Sequence, residues 1–327
     1  MTTTLVGYRA VVLEECDSAP APGESVVAPA GREAATPRPG AGGGAKDVVP
    51  EVVPVPPPDP SKAVLRPVEQ ERHRSLDRLP PGPELARFLD WYWAVAWDLR
   101  GRPDYAAEVL PYPCVNVTFE ATHSRSGGFV NGVCTAKFVR PLSGLGETFG
   151  VKFRPGGFGA FTGLDVGAFR DTAVELTTVL PDAVGLTEKV LAAATMAERR
   201  EIVEAFFADA AERAPDDPAY RLVLRIVDAM EHDRELARVD QVTERFAVPM
   251  RTLQRLFRRY VGAGPKWVLR RYRLQDGAHL LAGGHTDDIA ALALELGYYD
   301  QAHFAREFTR EVGMPPVAYA RLVDNDV

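Results

Sequence analysis

Residues 297–308 read GYYDQAHFAREF. A glycine that breaks a helix is followed by Asp300, whose carboxylate suits an N-cap, and then by Phe304 and Phe308 at the spacing of one buried helix face. The stretch poses a choice between a catalytic cluster built on His303 and a short helix that reads something. An echo elsewhere in the chain decides it. Shifted by 51 residues, positions 255–270 match 306–321 at Arg255/Arg306, Phe257/Phe308, Arg259/Arg310, Val261/Val312, Gly262/Gly313, Pro265/Pro316 and Arg270/Arg321. Chance at average residue usage would give roughly one such identity. The glycine and proline matches are not effects of shared helix composition, so one supersecondary unit occurs twice.

Each copy predicts a helix, a tight break and a second helix. In the first, VDQVTERFA (239–247) precedes a break at Val248 and Pro249, and MRTLQRLFRRY (250–260) runs toward Gly262. In the second, DDIAALALEL (287–296) breaks at Gly297, and DQAHFAREFTREV (300–312) runs to Gly313. Gly262 and Gly313 suit the left-handed position after a helix, and Pro265 and Pro316 follow because they cannot continue it. This is the helix-turn-helix pattern. Between the copies, PKWVLRRYRLQDGAHLLAG (265–283) predicts a rigid connecting helix about 25 Å long.

On 250–260 the apolar set is Leu253, Leu256, Phe257 and Tyr260, which leaves Arg251, Gln254, Arg255 and Arg258 on the opposite side. Such a face offers bidentate contacts, arginine to guanine and glutamine to adenine. A merely solvated charged face is the bland reading. Against it, Arg245 through Gln275 holds nine Lys or Arg and no Asp or Glu, in a chain of net charge −7. Arg259, Lys266 and Arg270 extend the face as part of this strip, which fits phosphate. The second helix is quieter: Ala302, Ala305, Arg306 and Thr309 share its outer face, with Gln301 and His303 at the edge. Alanines can meet thymine methyls or permit close approach but cannot hydrogen-bond bases.

The runs TLQRLFRRYVGAGPKWVLRRYRL (252–274) and IAALALELGYYDQAHFAREF (289–308), followed by GMPPVAYAR, resemble the AraC/XylS family of bacterial transcriptional regulators. The resemblance covers 219–323. It implies an all-helical domain whose two recognition helices, 250–260 and 300–312, enter adjacent major grooves. Pro249 departs from the serine often found at that helix start, so a capping hydrogen bond is lost. The carriers WDLRG (97–101), LPYPCVNVTFE (110–120) and FGVKFRPGGFGAF (149–161) also look like the N-terminal domain of a less characterised AraC-like subgroup.

Upstream, residues 1–65 carry a Pro/Ala/Gly-rich segment with almost no aromatics between 18 and 62, which reads as a disordered linker. Residues 66–182 hold short strands separated by Gly and Pro, which predicts a small β-rich, barrel-like regulatory domain. Residues 183–218 are helical, a linker or oligomerisation segment. The expected architecture is therefore α+β in its first half and all-α in its second. A barrel interior lined by Trp91, Trp93, Trp97, Phe119, Phe153 or Arg154 could hold a small molecule; an ordinary aromatic core is the other reading of the same residues. The glycine-rich run RPGGFG (154–159) is not a phosphate loop, because both nucleotide fingerprints are absent.

Cys16, Cys114 and Cys134 form no CxxC pair, and His123 stands alone between residues 74 and 231, so neither a disulfide framework nor a metal or other cofactor is expected. No long apolar run suggests a membrane span, and the N-terminus lacks a signal-peptide pattern. The expected setting is cytoplasmic and nucleoid-associated. The partners expected are double-stranded DNA, RNA polymerase, a small-molecule effector and a second copy of the chain. An enzyme or alkyl-acceptor domain using Cys114, fused to a DNA-binding module, is the competing expectation, although the Pro–Cys–Val setting reads as a buried strand.

Overall fold

A computed structural model describes residues 61–284 and 288–324; Cys16, the Pro-rich tract and Asp287 lie outside the described residues, whereas Ala63, Val64 and Leu65, expected within the disordered segment 1–65, are buried. The first half contains α1 (Pro67–Glu71), β1 (Ser75–Leu79), β2 (Leu89–Asp98), β3 (Tyr105–Val109), β4 (Asn116–Ala121), β5 (Ser126–Asn131), β6 (Phe138–Leu142), β7 (Leu145–Phe153), α2 (Gly157–Thr162) and β8 (Ala173–Glu175). A six-stranded antiparallel sheet has the order β1-β2-β7-β4-β5-β8, and β3 pairs with β6 as a separate two-stranded ribbon. Side chains alternate across the sheet. One face presents Tyr92, Val117, Phe119, Val130, Phe149, Val151 and Phe153, all fully buried.

Three helices follow and cover that face: α3 (Leu176–Val179), α4 (Leu186–Ala192) and α5 (Met196–Arg213). Helix α5 starts where Thr195 and Glu198 form a reciprocal capping box, and it buries Val203, Phe207 and Ala211. The Phe207 ring meets Phe153 edge-on at 6.1 Å between centroids.

From Pro218 onward the described chain is helical: α6 (Pro218–His232), α7 (Val239–Arg245), α8 (Met250–Leu256), α9 (Pro265–Ala282), α10 (Ile289–Glu295), α11 (Gln301–Val312) and α12 (Pro316–Asp324). A β-rich half and two helix-turn-helix units therefore stand as the sequence predicts, but the expected barrel-like closure does not: among the described residues β1 and β8 are the free edges of an open sheet. Asp300 caps α11 by accepting from the His303 amide at 2.6 Å, and Gly313 closes it at φ 93°. Pro249 supplies no side-chain cap to α8. One element differs from expectation: the helix over 250–260 is α only to Leu256, then widens into a π-turn over Phe257–Val261 that ends with the Gly262 amide donating to Phe257 O. The wider turn lets Phe257, Tyr260 and Val261 all reach the interior.

The repeat is visible in the backbone, with one refinement. Ala247 and Gly297 occupy the same left-handed position, at φ 50° and 75°. Their amides donate to Glu244 O and Leu294 O, and the next amides, of Val248 and Tyr298, donate to Thr243 O and Ala293 O. The offset is thus 50 residues up to the turn and 51 beyond it. The second turn contains one extra residue before its reading helix.

The apolar core crosses the changes of secondary structure. One cluster runs from the sheet through α4, α5 and α6 to Val242, Leu253, Phe257, Val261 and the first half of α9. A second holds Leu274, Ala278 and Leu281 of α9 with α10, α11 and α12.

The equivalent left-handed positions give a paired stability prediction. Gly297→Ala lowers stability by about 1–2 kcal/mol, since its Cβ would also lie 3.1 Å from that of Ala237. Ala247→Gly is neutral or stabilising by up to about 0.5 kcal/mol, relief of strain being partly offset by unfolded-state entropy. Urea denaturation of both variants checks the sign.

Candidate nucleic-acid interface

Helix α8 is fixed by its buried side. Leu253 and Phe257 are fully buried, while Arg251, Gln254, Arg255, Arg258 and Arg259 are exposed. Residues three and four apart share a helix face, so Arg251, Gln254, Arg255 and Arg258 form one row. Tyr260 anchors the far end by donating to Asp217 at 2.6 Å. The same carboxylate caps α6 by accepting from the Ala219 and Tyr220 amides. Burial and that carboxylate push the Tyr260 phenol up to about 12.

The basic strip divides in two. Arg245 pairs with Asp233, and Arg270 with Glu311 at 3.1 Å. Arg271 is 1% exposed and donates to Thr135 O at 2.6 Å. Arg273 donates to Gly297 O at 3.0 Å and lies over the Tyr298 ring. These four hold the fold together. Arg251, Arg255, Arg258, Arg259 and Lys266 remain exposed to solvent. Arg270, expected on the DNA-facing strip, is half-buried in its ion pair.

Helix α11 buries Phe304, Phe308 and Val312. Gln301, Ala302 and Arg306 are exposed, whereas His303, Ala305 and Thr309 are half-buried. The His303 ring packs edge-on against Tyr298, with its Nε2 3.8 Å from Glu307, the setting of a packing residue. Sequence reasoning passed over Tyr299, which is 88% exposed immediately before the Asp300 cap; its aromatic size gave no hint of solvent exposure.

The glycine-rich stretch has a role that its motif content did not reveal. A Cβ on Gly157 would lie 2.3 Å from Phe88 O, and one on Gly167 would lie 3.0 Å from Arg258 O. Gly157 thus packs the stretch onto the chain entering β2, while Gly167, beyond the run, brings the β-rich half into backbone contact with the end of the first reading helix.

The six aromatic and basic residues considered for a ligand do not converge. Phe119 and Phe153 lie in the core on the helix-covered face. Trp91, Trp93 and Trp97 alternate onto the opposite face. Lys152 Nζ sits 3.7 Å from the Trp91 ring centroid and pairs with Asp90. Trp93 Nε1 donates to Asn116 at 3.1 Å, and Trp97 lines an open groove of about 510 Å³ with Leu145 and Glu147. Arg154 is half-buried, its amide donating to Phe88 O. No described helix is long and apolar enough to cross a membrane.

Residues 242–322 match a family described as a helix-turn-helix domain. The chain is 36% identical over 87 residues to the HTH-type transcriptional activator RhaS of Escherichia fergusonii, a match covering 26% of the chain and 31% of that protein. In this domain the chain is similar to curated HTH-type transcriptional activators. RhaS of Escherichia coli O139:H28 is 31% identical over 101 residues, 31% of this chain and 36% of the relative. The chain thus matches about a third of the length of these curated relatives. Residues 77–175 match a family described as a domain of unknown function (DUF6597). The crystal structure of ToxT from Vibrio cholerae O395 superposes loosely, at 8% identity and a TM-score of 0.36 over 76% of this chain and 97% of that one.

Cys114 is buried, which pushes its thiol up to about 11. A thiol kept protonated and covered does not act as a nucleophile. Cys114 is expected to resist alkylation in the native protein at neutral pH and to react once denaturant is added; peptide mapping after iodoacetamide treatment measures this.

Proposed function

We propose that the protein is a sequence-specific DNA-binding transcription regulator that places α8 and α11 in adjacent major grooves. One observation carries the reading: within a matched helix-turn-helix domain, the outer row of α8 keeps its arginines and Gln254 exposed, while the neighbouring arginines are consumed by structural ion pairs. Arg251, Gln254, Arg255 and Arg258 are the proposed base-edge or phosphate contacts, and Arg259 and Lys266 contact phosphate. Gln301, Ala302, Ala305, Arg306 and Thr309 supply the weaker reader. His303 supports that helix by packing.

The β-rich half is the regulatory part in this reading. Its input is a small molecule or a protein partner. RNA polymerase is the partner through which bound protein alters transcription, and α4–α5 are the surface for a second copy. The nucleoid is the corresponding location. Burial of Cys114 speaks against the alkyl-acceptor alternative.

Selection from a random DNA pool tests the core claim. A defined bipartite motif is the expected outcome, and failure to enrich any sequence refutes it. Arg255→Ala is expected to cost about 1–3 kcal/mol and to relax preference at one position. Lys266→Ala weakens all sequences alike and reduces the dependence of log K on log salt by about one. Titrations by fluorescence anisotropy at several salt concentrations separate these two behaviours.

A further inference from the structure

The two helix-turn-helix units do not share a core. Val268, Leu269 and Tyr272 of α9 belong to the cluster that continues into the sheet, whereas Leu274, Ala278 and Leu281 belong to the cluster of α10, α11 and α12. The β-rich half reaches both. It meets the first unit through continuous apolar packing that includes Phe153, Phe158 and Val166 beside Leu253, Phe257 and Val261.

Its hold on the second unit is of another kind. Leu65 and Leu110 enter the second cluster as an apolar plug. The Arg66 amide donates to Tyr319 Oη at 3.0 Å, and Gln275 Nε2 donates to Leu110 O at 2.7 Å. The loop at 133–137 grips α9 and α11 together. Thr135 O accepts from Arg271 Nη2 at 2.6 Å and from Trp267 Nε1 at 3.3 Å. Lys137 Nζ donates to Val312 O at 2.9 Å and to Glu108 Oε1 at 2.7 Å. Val312 is the last residue of α11, where unpaired carbonyls and the negative end of the helix dipole favour a cation. Asp171 holds the loop in shape by accepting from the Thr135 amide and hydroxyl.

We propose that the β-rich half is a splint that fixes the second reading helix relative to the first, with Lys137 as a positioning residue for the spacing between the two halves of the DNA site. Arg271 and Arg270 share Glu311 of α11. The end of α11 is thus tied both to the connecting helix and, through Lys137, to the sheet domain. The first reader is held by an apolar core that continues into the sheet. The second is held at its C-terminal turn by a charged donor that can be removed alone. The proposal rests on the DNA-reading function above and adds a partner for neither helix; it assigns the β-rich half a part in specificity.

The test uses the full-length wild type, Lys137→Met, which keeps the aliphatic stem, and Lys137→Arg, which keeps a cationic donor. Sites enriched by the wild type are remade with one base pair inserted between the two half-motifs. The wild type and Lys137→Arg are expected to lose about tenfold or more in affinity on insertion, and Lys137→Met about threefold or less. In the absence of DNA, hydrogen exchange should accelerate at the amides of 309–313 in Lys137→Met and stay unchanged at 257–262. Wild-type spacing selectivity in Lys137→Met overturns the splint, as does equal acceleration in both helices. If the wild type enriches no sequence, the DNA-reading proposal falls, and the exchange experiment alone decides the splint: unchanged protection at 309–313 in Lys137→Met overturns it.

Discussion

Backbone-to-backbone contact between residues 157–167 and the end of the first reading helix is the constraint on which the rest of the arrangement depends. Glycine at 167 and at 262 removes the side-chain atoms that would press on Arg258 O and Val166 O and hold the chains apart. With that approach made, Val166 and Phe158 join Phe257 and Val261 in one apolar cluster. Every polar side chain of α8 must then lie on the remaining side. Exposure of the arginine row is therefore a consequence of burying the opposite face, as the hydrophobic driving force requires.

Carboxylates decide which cations stay available. Asp233 takes Arg245, and Glu311 takes Arg270 and Arg271. An arginine as buried as Arg271 must be paired, because an isolated buried charge is costly. The cations left over sit on α8 and at the start of α9, where no such partner is placed among the described residues. The net acidity of the chain and the basic character of this surface are thus compatible, since opposite charges are sorted by position.

The repeat was legible because its punctuation is chemical. Gly262, Gly313, Pro265, Pro316 and Asp300 each satisfy a local backbone requirement, and such requirements are written in neighbouring residues. The helix-turn-helix units, the connecting helix and the alternating strands followed from the same local logic. The offset of 50 before the turn was hidden, because Ala247 takes a left-handed conformation that residue type alone assigns to glycine. The π-turn after Leu256 was hidden too: it answers to the burial of Tyr260 and Val261 against distant elements. In the sheet, Trp93 and Phe153 looked equally fit to line a pocket, but strand pairing sends them to different faces.

By itself the amino-acid sequence determined the repeated unit, the caps, the α+β-then-α order and the residue types on each reading helix, because periodicity and capping act within a few residues. Only the tertiary structure decided which arginines are free, why the glycine-rich run exists, and how the β-rich half grips the end of α11. The last of these joins residues more than a hundred positions apart, Lys137 with Val312 and Thr135 with Arg271, and the others also join separate elements. Pairing over such distances is set by packing of whole elements, and no local pattern in the chain encodes it.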